Sequence, residues 1–237
     1  MAFSNGPQIV RDGLVLSLDA NDRNSYPGSG TTWSDTSGNG NNGTITNSPS
    51  FLTINGGVFN FPNTANQSVT ISDTAILQPT SVTLYAWVYL TQYNPLGDFD
   101  GQFPSILWRC GVNNTGGAGS YGLSLSAGQF PRFTIAPTQL ISTTTFPVGV
   151  WVHLAGVYTV GGSQILYRNA IVDTSTTGPA SIGYTAQPVS VATRVFSETY
   201  QYPWNGNIAN VQIYNRDLSA IEILQNYNAT KTRFGLI

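Results

Sequence analysis

Carboxylate chemistry has little to draw on in this chain. Of its two glutamates, Glu222 follows Ser219 by three residues at the head of LSAIEILQNY, the reciprocal spacing of a helix capping box. Leu218 and Ile223 flank that box at staple positions, so Glu222 is assigned to starting a short helix. Glu198 alone is left without an evident structural task. Cleaving a glycosidic bond usually takes two carboxylates across one bond, and the aspartates form no cluster in the sequence. His153 is the sole histidine, on an apolar stretch with Trp151, Leu154 and Val157, and Cys110 is the sole cysteine. Neither a nucleophilic triad, nor a zinc site, nor an intrachain disulfide is therefore expected. The residues point to binding or assembly rather than to an enzyme.

A stronger signal is the aromatic content of the turn-rich segments. Tyr93, Phe99 and Phe103 lie in TQYNPLGDFDGQFPS, Tyr200, Tyr202 and Trp204 in SETYQYPW, and Tyr26 and Trp33 in an earlier long loop. Sugars stack their C–H faces on such rings while Asn, Asp and Arg take the hydroxyls, a mix of apolar wall and few polar groups expected of a ligand site. The same rings also suit packing of loops onto a core or against a neighbouring subunit, the commoner use of any one of them. Trp87, Trp108 and Trp151, on apolar runs, are assigned to the core.

The elements that would position these loops are strands. Charged residues make up 8% of the chain, against roughly 25% in a typical domain. Lys231 is the only lysine, and Gly, Asn, Ser and Thr are abundant, a composition for strands and turns rather than long helices. Apolar runs of strand length recur: 13–18, 58–61, 67–72, 82–90, 105–109, 121–126, 131–136, 151–160, 164–168, 170–174 and 206–214. The runs 58–61 and 67–72 read as a pair around a turn at 62–65. Val82 to Leu90 is apolar on both faces, the mark of a central strand covered on both sides. The prediction is one domain over 1–237, with 228–237 as a C-terminal tail. A formal net charge of −2 offers no footprint for nucleic acid or an anionic membrane, and no run is long enough for a membrane span. The first residues, MAFSNGPQIVRDG, carry neither a basic leader nor an apolar signal core, which predicts synthesis in a cytoplasm without a signal peptide.

Four stretches, in this order, resemble the laminin G-like branch of the concanavalin A-like lectin/glucanase superfamily: GLVLSLDA with WSDTSGNGNNGTI, VFNFPNTANQSVTIS with SVTLYAWVYL, WVHLAGVYTVGGSQILYRNAIV, and GNIANVQIYNRDLSAIEILQNY. The resemblance implies an all-β fold, a two-sheet antiparallel β-sandwich of jelly-roll type with one short C-terminal helix. It also implies a candidate Ca²⁺ site at the sandwich rim, since Asp19 and Asp35 stand where the family carries acidic residues and Asn39 with the following carbonyls would complete the shell. Ala209 replaces an acidic residue the family places near its last strand, so one ligand is missing, and Asp35-Thr36-Ser37-Gly38 also reads as an ordinary Asx turn. Asp98-Phe99-Asp100-Gly101 is a second candidate. No cofactor is assigned beyond calcium as a candidate.

More narrowly, the opening VRDGLVLSLDANDRNSYPGSG and the ending NRDLSAIEILQNYNATKTRFGL resemble stand-alone virion proteins of tailed bacteriophages. That resemblance implies a non-enzymatic tail, fibre or capsid-surface component, partnered by other virion proteins or by copies of itself, with cell-surface glycans as candidate ligands. The alternative is a free carbohydrate-binding lectin or accessory module, and an unusual glycosidase ranks third. The tail ends on Phe234, Leu236 and Ile237, an apolar finish that reads as an assembly contact or as a segment folded back on its own domain.

Overall fold

The computed structural model describes residues 7–63, 67–93, 104–109, 121–196 and 199–237. Among them the strands form two eight-stranded antiparallel sheets and one small ribbon. From one edge to the other, the first sheet runs Ile171–Thr177, Ser163–Arg168, Trp151–Tyr158, Val82–Leu90, Asn205–Tyr214, Val58–Pro62 and Ser50–Leu52, with Leu14–Asp19 paired to the far half of Asn205–Tyr214. The second runs Thr138–Ile141, Pro131–Ile135, Tyr121–Leu125, Ser105–Arg109, Val189–Val191, Ser68–Ile71, Gly43–Thr46 and Thr32–Trp33. Arg194–Phe196 and Thr199–Gln201 make the ribbon.

The sheets pack face to face through the period-2 alternation of their strands. Leu84, Ala86 and Val88 of one sheet and Val69, Ile71, Leu123 and Phe133 of the other share a single buried core. The opposite face of Val82–Leu90 carries Tyr85 and Trp87, which join a second buried cluster with Tyr214, Leu218, Ile223 and Phe234. This strand is therefore covered on both sides, as its two apolar faces imply. The cover is the helix Ala220–Thr230, and it begins as the sequence dictates: Ser219 accepts from the Glu222 backbone N–H, and Glu222 accepts from Ser219 N–H at 2.8 Å. Arg216 adds a 2.5 Å ion pair to Glu222, and with this partner the Glu222 carboxyl is held down to about 2.

The expected pairing of 58–61 with 67–72 does not form. Val58–Pro62 belongs to the first sheet and Ser68–Ile71 to the second. Phe59 and Phe61 face the same core as Val69 and Ile71, but from opposite sides. Alternation fixes which face of a strand is buried, and that condition is met equally by a hairpin or by a crossover between sheets. A tight turn follows Ser163–Arg168, with Asn169 and Ala170 both at positive φ (51° and 62°) and Arg168 opposite Ile171. No helix among the described residues is long and apolar enough to cross a membrane.

Candidate functional site

The second sheet turns Phe133, Ile135, Leu123 and Leu125 inward, which leaves Arg132, Thr134 and Ser124 on its outer face. A register shift between Ser105 and Leu107 sets the neighbouring strand so that Trp108 lies opposite Gly122. The indole rests over that glycine: a Cβ there would stand 2.0 Å from the ring, so only glycine admits it. The Arg194 guanidinium lies 3.6 Å from the Trp108 ring centroid and Arg132 5.7 Å from it, and Arg194 also sits 4.6 Å from the Tyr202 centroid. Arg132 Nε donates to Ser124 Oγ at 2.9 Å and Nη1 to Gln139 Oε1 at 3.2 Å, while Arg194 Nε donates to Ser105 Oγ at 2.9 Å. Burial, reinforced by the neighbouring Arg194 charge, pushes the Arg132 guanidinium down to about 9, which leaves it cationic at neutral pH. The result is a cluster of Trp, Tyr, Arg, Ser and Gln on the outer face of the second sheet, in which the arginines and serines are buried, Trp108 and Tyr202 are half-buried and Gln139 is exposed.

The described flanks of the two aromatic segments lie side by side. Thr91 N–H donates to the Asn205 carbonyl at 2.9 Å, and the exposed Tyr93 donates its hydroxyl to the Phe146 carbonyl at 2.6 Å. Phe146 meets Trp204 edge to face at 5.8 Å, and Trp204 N–H donates to the Ala192 carbonyl beside Arg194. Trp204 is wholly buried, so it is a core residue and not a sugar platform. Tyr202 is half-buried at positive φ (58°). Phe99, Phe103 and the Tyr200 side chain lie outside the described residues. Tyr26 and Trp33 are buried against Phe59, each at 4.7 Å, so they serve packing.

The acidic candidates have other partners. Asp35 accepts from Ser17 N–H, Ser37 N–H, Asn41 N–H and Ser37 Oγ–H, at 2.7 to 3.0 Å. It closes the Asx turn and caps the edge of Leu14–Asp19. Asp19 pairs with Arg233 at 2.7 Å, and Arg233 also donates to the carbonyls of Asn55 and Gly57. A guanidinium from the C-terminal segment thus sits where the family resemblance placed a calcium ion. Asn39 is exposed and donates to the Leu14 carbonyl. Among the described residues no group of three or more His, Cys, Asp or Glu side chains converges, and Asp98 and Asp100 lie outside them. Stripping with a chelator is expected to leave the melting temperature unchanged, whereas Asp35→Ala should cost about 2–3 kcal/mol through the orphaned donors. Calorimetry of both samples checks this; a chelator-induced drop in Tm would restore calcium to the rim.

The tail does not stand free. Phe234 stacks on Trp87 at 4.2 Å and meets Trp151 at 4.7 Å, and Leu236 packs against the same cluster. Only Ile237 is fully exposed. The assembly reading of Phe234 and Leu236 gives way to the folded-back one, because flat rings on the outer face of the first sheet offered a closer partner. His153 lies beneath this layer, 4.4 Å from Tyr85 and 5.6 Å from Trp87. Wholly buried, it is pushed down to about 3 by desolvation and stays neutral.

Trp108, Arg132 and Arg194 are the site residues that sequence reasoning missed. Trp108 was assigned to the core, yet it is half-buried and outside both core clusters. The available signal was the alternation of Arg132 with Phe133 and Ile135; for Trp108 there was none, because the register shift after Ser105 puts both Ile106 and Leu107 in the core.

A sequence model described as concanavalin A-like lectin/glucanases superfamily matches residues 63–224. The chain belongs to this superfamily. Among solved structures, this superfamily member is similar to the binding domain of Paraclostridial Mosquitocidal Protein 1 (17% identity, TM-score 0.68, covering 92% of this chain and 52% of that one). It is also similar to Trypanosoma rangeli sialidase in complex with sialic acid (16%, 0.66, 93% and 33%) and to domain 4 of an extracellular arabinanase from Geobacillus stearothermophilus in complex with arabinotriose (16%, 0.64, 90% and 98%). The chain spans about half of the first of these and a third of the second. At such identities the likeness speaks for the fold. No curated protein sequence matches the chain.

Proposed function

We propose that this lectin-like sandwich is a non-enzymatic surface component of a phage virion that binds glycans on the outer face of the second sheet. The observation that carries the glycan reading is the stack of Trp108, Arg194 and Tyr202, rings and hydrogen-bonding groups of the kind a sugar requires. The non-enzymatic reading draws on the carboxylates: each one among the described residues is committed to a partner. Asp12, Asp19, Asp73, Asp173 and Glu222 pair with arginines, Asp22 and Asp35 hold turns, and Asp217 accepts from Thr159 Oγ. The virion assignment, with synthesis in the host cytoplasm and partners among virion proteins or copies of this chain, follows the resemblance of its opening and closing segments to tailed-phage proteins.

Glycan-array binding by wild type, Trp108→Ala and Tyr202→Ala tests the ligand. Each variant should weaken binding about tenfold, the value of one well-placed ring contact. Undiminished binding by both variants would move the site off this patch. Quantitative mass spectrometry of purified particles tests the location, and a stoichiometric copy number is the expected result. The second reading is a free carbohydrate-binding module. It is favoured by the arabinanase domain, which this chain matches over 98% of that domain's length and which was solved with arabinotriose. Glycan binding without particle incorporation would decide for it, and turnover of the bound glycan would decide for a glycosidase.

A further inference from the structure

An asparagine followed by glycine carries a reaction of its own. The glycine has no Cβ to crowd its backbone nitrogen, so that nitrogen, once deprotonated, can attack the carbonyl carbon of the preceding side-chain amide. Folding decides where this happens, because the nitrogen must be free of a hydrogen bond and the backbone must turn to bring it onto the amide. Asn-Gly occurs at 5–6, outside the described residues, and at Asn39-Gly40, Asn42-Gly43, Asn55-Gly56 and Asn205-Gly206. Three of these four are held shut. Asn205 and Gly206 are buried in the first sheet, with Gly206 fixed between Leu90 and Phe61. Gly43 is buried between Trp33 and Ile71 of the second sheet, and Asn42 Oδ1 accepts from Asp35 N–H at 2.8 Å. The Asn55 amide is held at both ends: Nδ2 donates to the Arg233 carbonyl at 2.9 Å, and Oδ1 accepts from Trp151 Nε1 at 3.1 Å. Asn39 and Gly40 are both exposed and lie outside every helix and strand. Among the described residues nothing accepts from Gly40 N–H, and apart from its chain neighbours no atom lies within 4 Å of the place a Cβ would take there, so the backbone has room to turn.

We propose that Asn39 is a site of spontaneous deamidation, the one pair of these four that the fold leaves open. Hydroxide takes the Gly40 N–H proton, and the nitrogen bonds to Asn39 Cγ. The Cγ–Nδ2 bond breaks, and ammonia leaves with a proton from water. A second water opens the resulting succinimide to aspartate or isoaspartate, with no change of oxidation state at any step. The amide lost is the donor to the Leu14 carbonyl at 3.2 Å and to Ser37 Oγ at 3.0 Å. Its replacement is a carboxylate facing that carbonyl. Ser37 cannot compensate, because its one hydroxyl proton already goes to Asp35 at 2.7 Å. The modification therefore adds a negative charge and strips the cover from the outward carbonyl of Leu14, on a strand that pairs on its other side alone.

Peptide mapping by mass spectrometry of the full chain, held at mildly alkaline pH and sampled over days, tests the site. Fragment ions separate Asn39 from Asn42. Asn39 should convert to mixed aspartyl and isoaspartyl products at least about tenfold faster than Asn42, Asn55 or Asn205, each of which must first break its hydrogen bonds or leave its sheet. In urea the four should react at similar rates, which ties the selectivity to the fold. Asn39→Asp should lower Tm by about 2–4 °C. An intact Asn39 after the unfolded chain has reacted, or a folded chain that reacts as fast at any of the other three, would overturn the proposal.

Discussion

Phe234→Ala is expected to lower the unfolding free energy by about 3 kcal/mol, although it changes a residue three positions from the end of the sequence. The ring is buried, stacked on Trp87 with planes 22° apart and in contact with Trp151. Removing it opens a void over the second cluster, above Trp87 and its neighbour His153. For a chain of this length such a loss lowers Tm by roughly 6–12 °C. Ile237→Ala, at the exposed terminus, should leave Tm unchanged. Urea unfolding followed by tryptophan fluorescence would report both variants, since Trp87 and Trp151 lie on the ring removed. A Phe234→Ala protein as stable as wild type would return the tail to assembly.

Stability is also expected to fall between pH 6.5 and 4.5, by about 2.5 kcal/mol in total. His153 has an ordinary value of 6.5 in the unfolded chain and is held down to about 3 in the fold by burial. Above pH 6.5 neither state binds the proton, and the full stability is present. Below it the unfolded chain takes up a proton that the folded chain refuses, so unfolding grows easier by about 1.4 kcal/mol per pH unit until the folded value is reached. Glu222, lowered from 4.5, and Asp73, lowered from 3.8, lose their stabilising ion pairs only below this window. The slope between 4.5 and 6.5 therefore belongs to the one histidine. Neither ring nitrogen has a hydrogen-bond partner, so His153→Leu should abolish the slope at little cost to stability near neutral pH. A denaturation midpoint that is flat over this range in wild type would contradict the buried neutral imidazole.

The sequence by itself determined the parts that depend on local spacing. The Ser219–Glu222 box and the two-faced strand Val82–Leu90 each follow from side-chain types a few residues apart, and each forms where it reads. The order of such segments was enough to give the superfamily and a two-layer sandwich. Tertiary structure decided everything that depends on which surface a residue meets. Trp204 reads like Tyr202, but it lies under Phe146 and is lost to any ligand. Trp108 reads as core, but the register shift after Ser105 turns it outward onto Gly122, beneath an arginine 86 positions away along the chain. Asp19 reads as a metal ligand until Arg233 arrives from the opposite end of the sequence. The alternation of a strand states that one face is buried and the other is not; it carries no record of which distant segment covers either face. That choice is made when the sheets stack, and it is where the candidate site and the folded-back tail were decided.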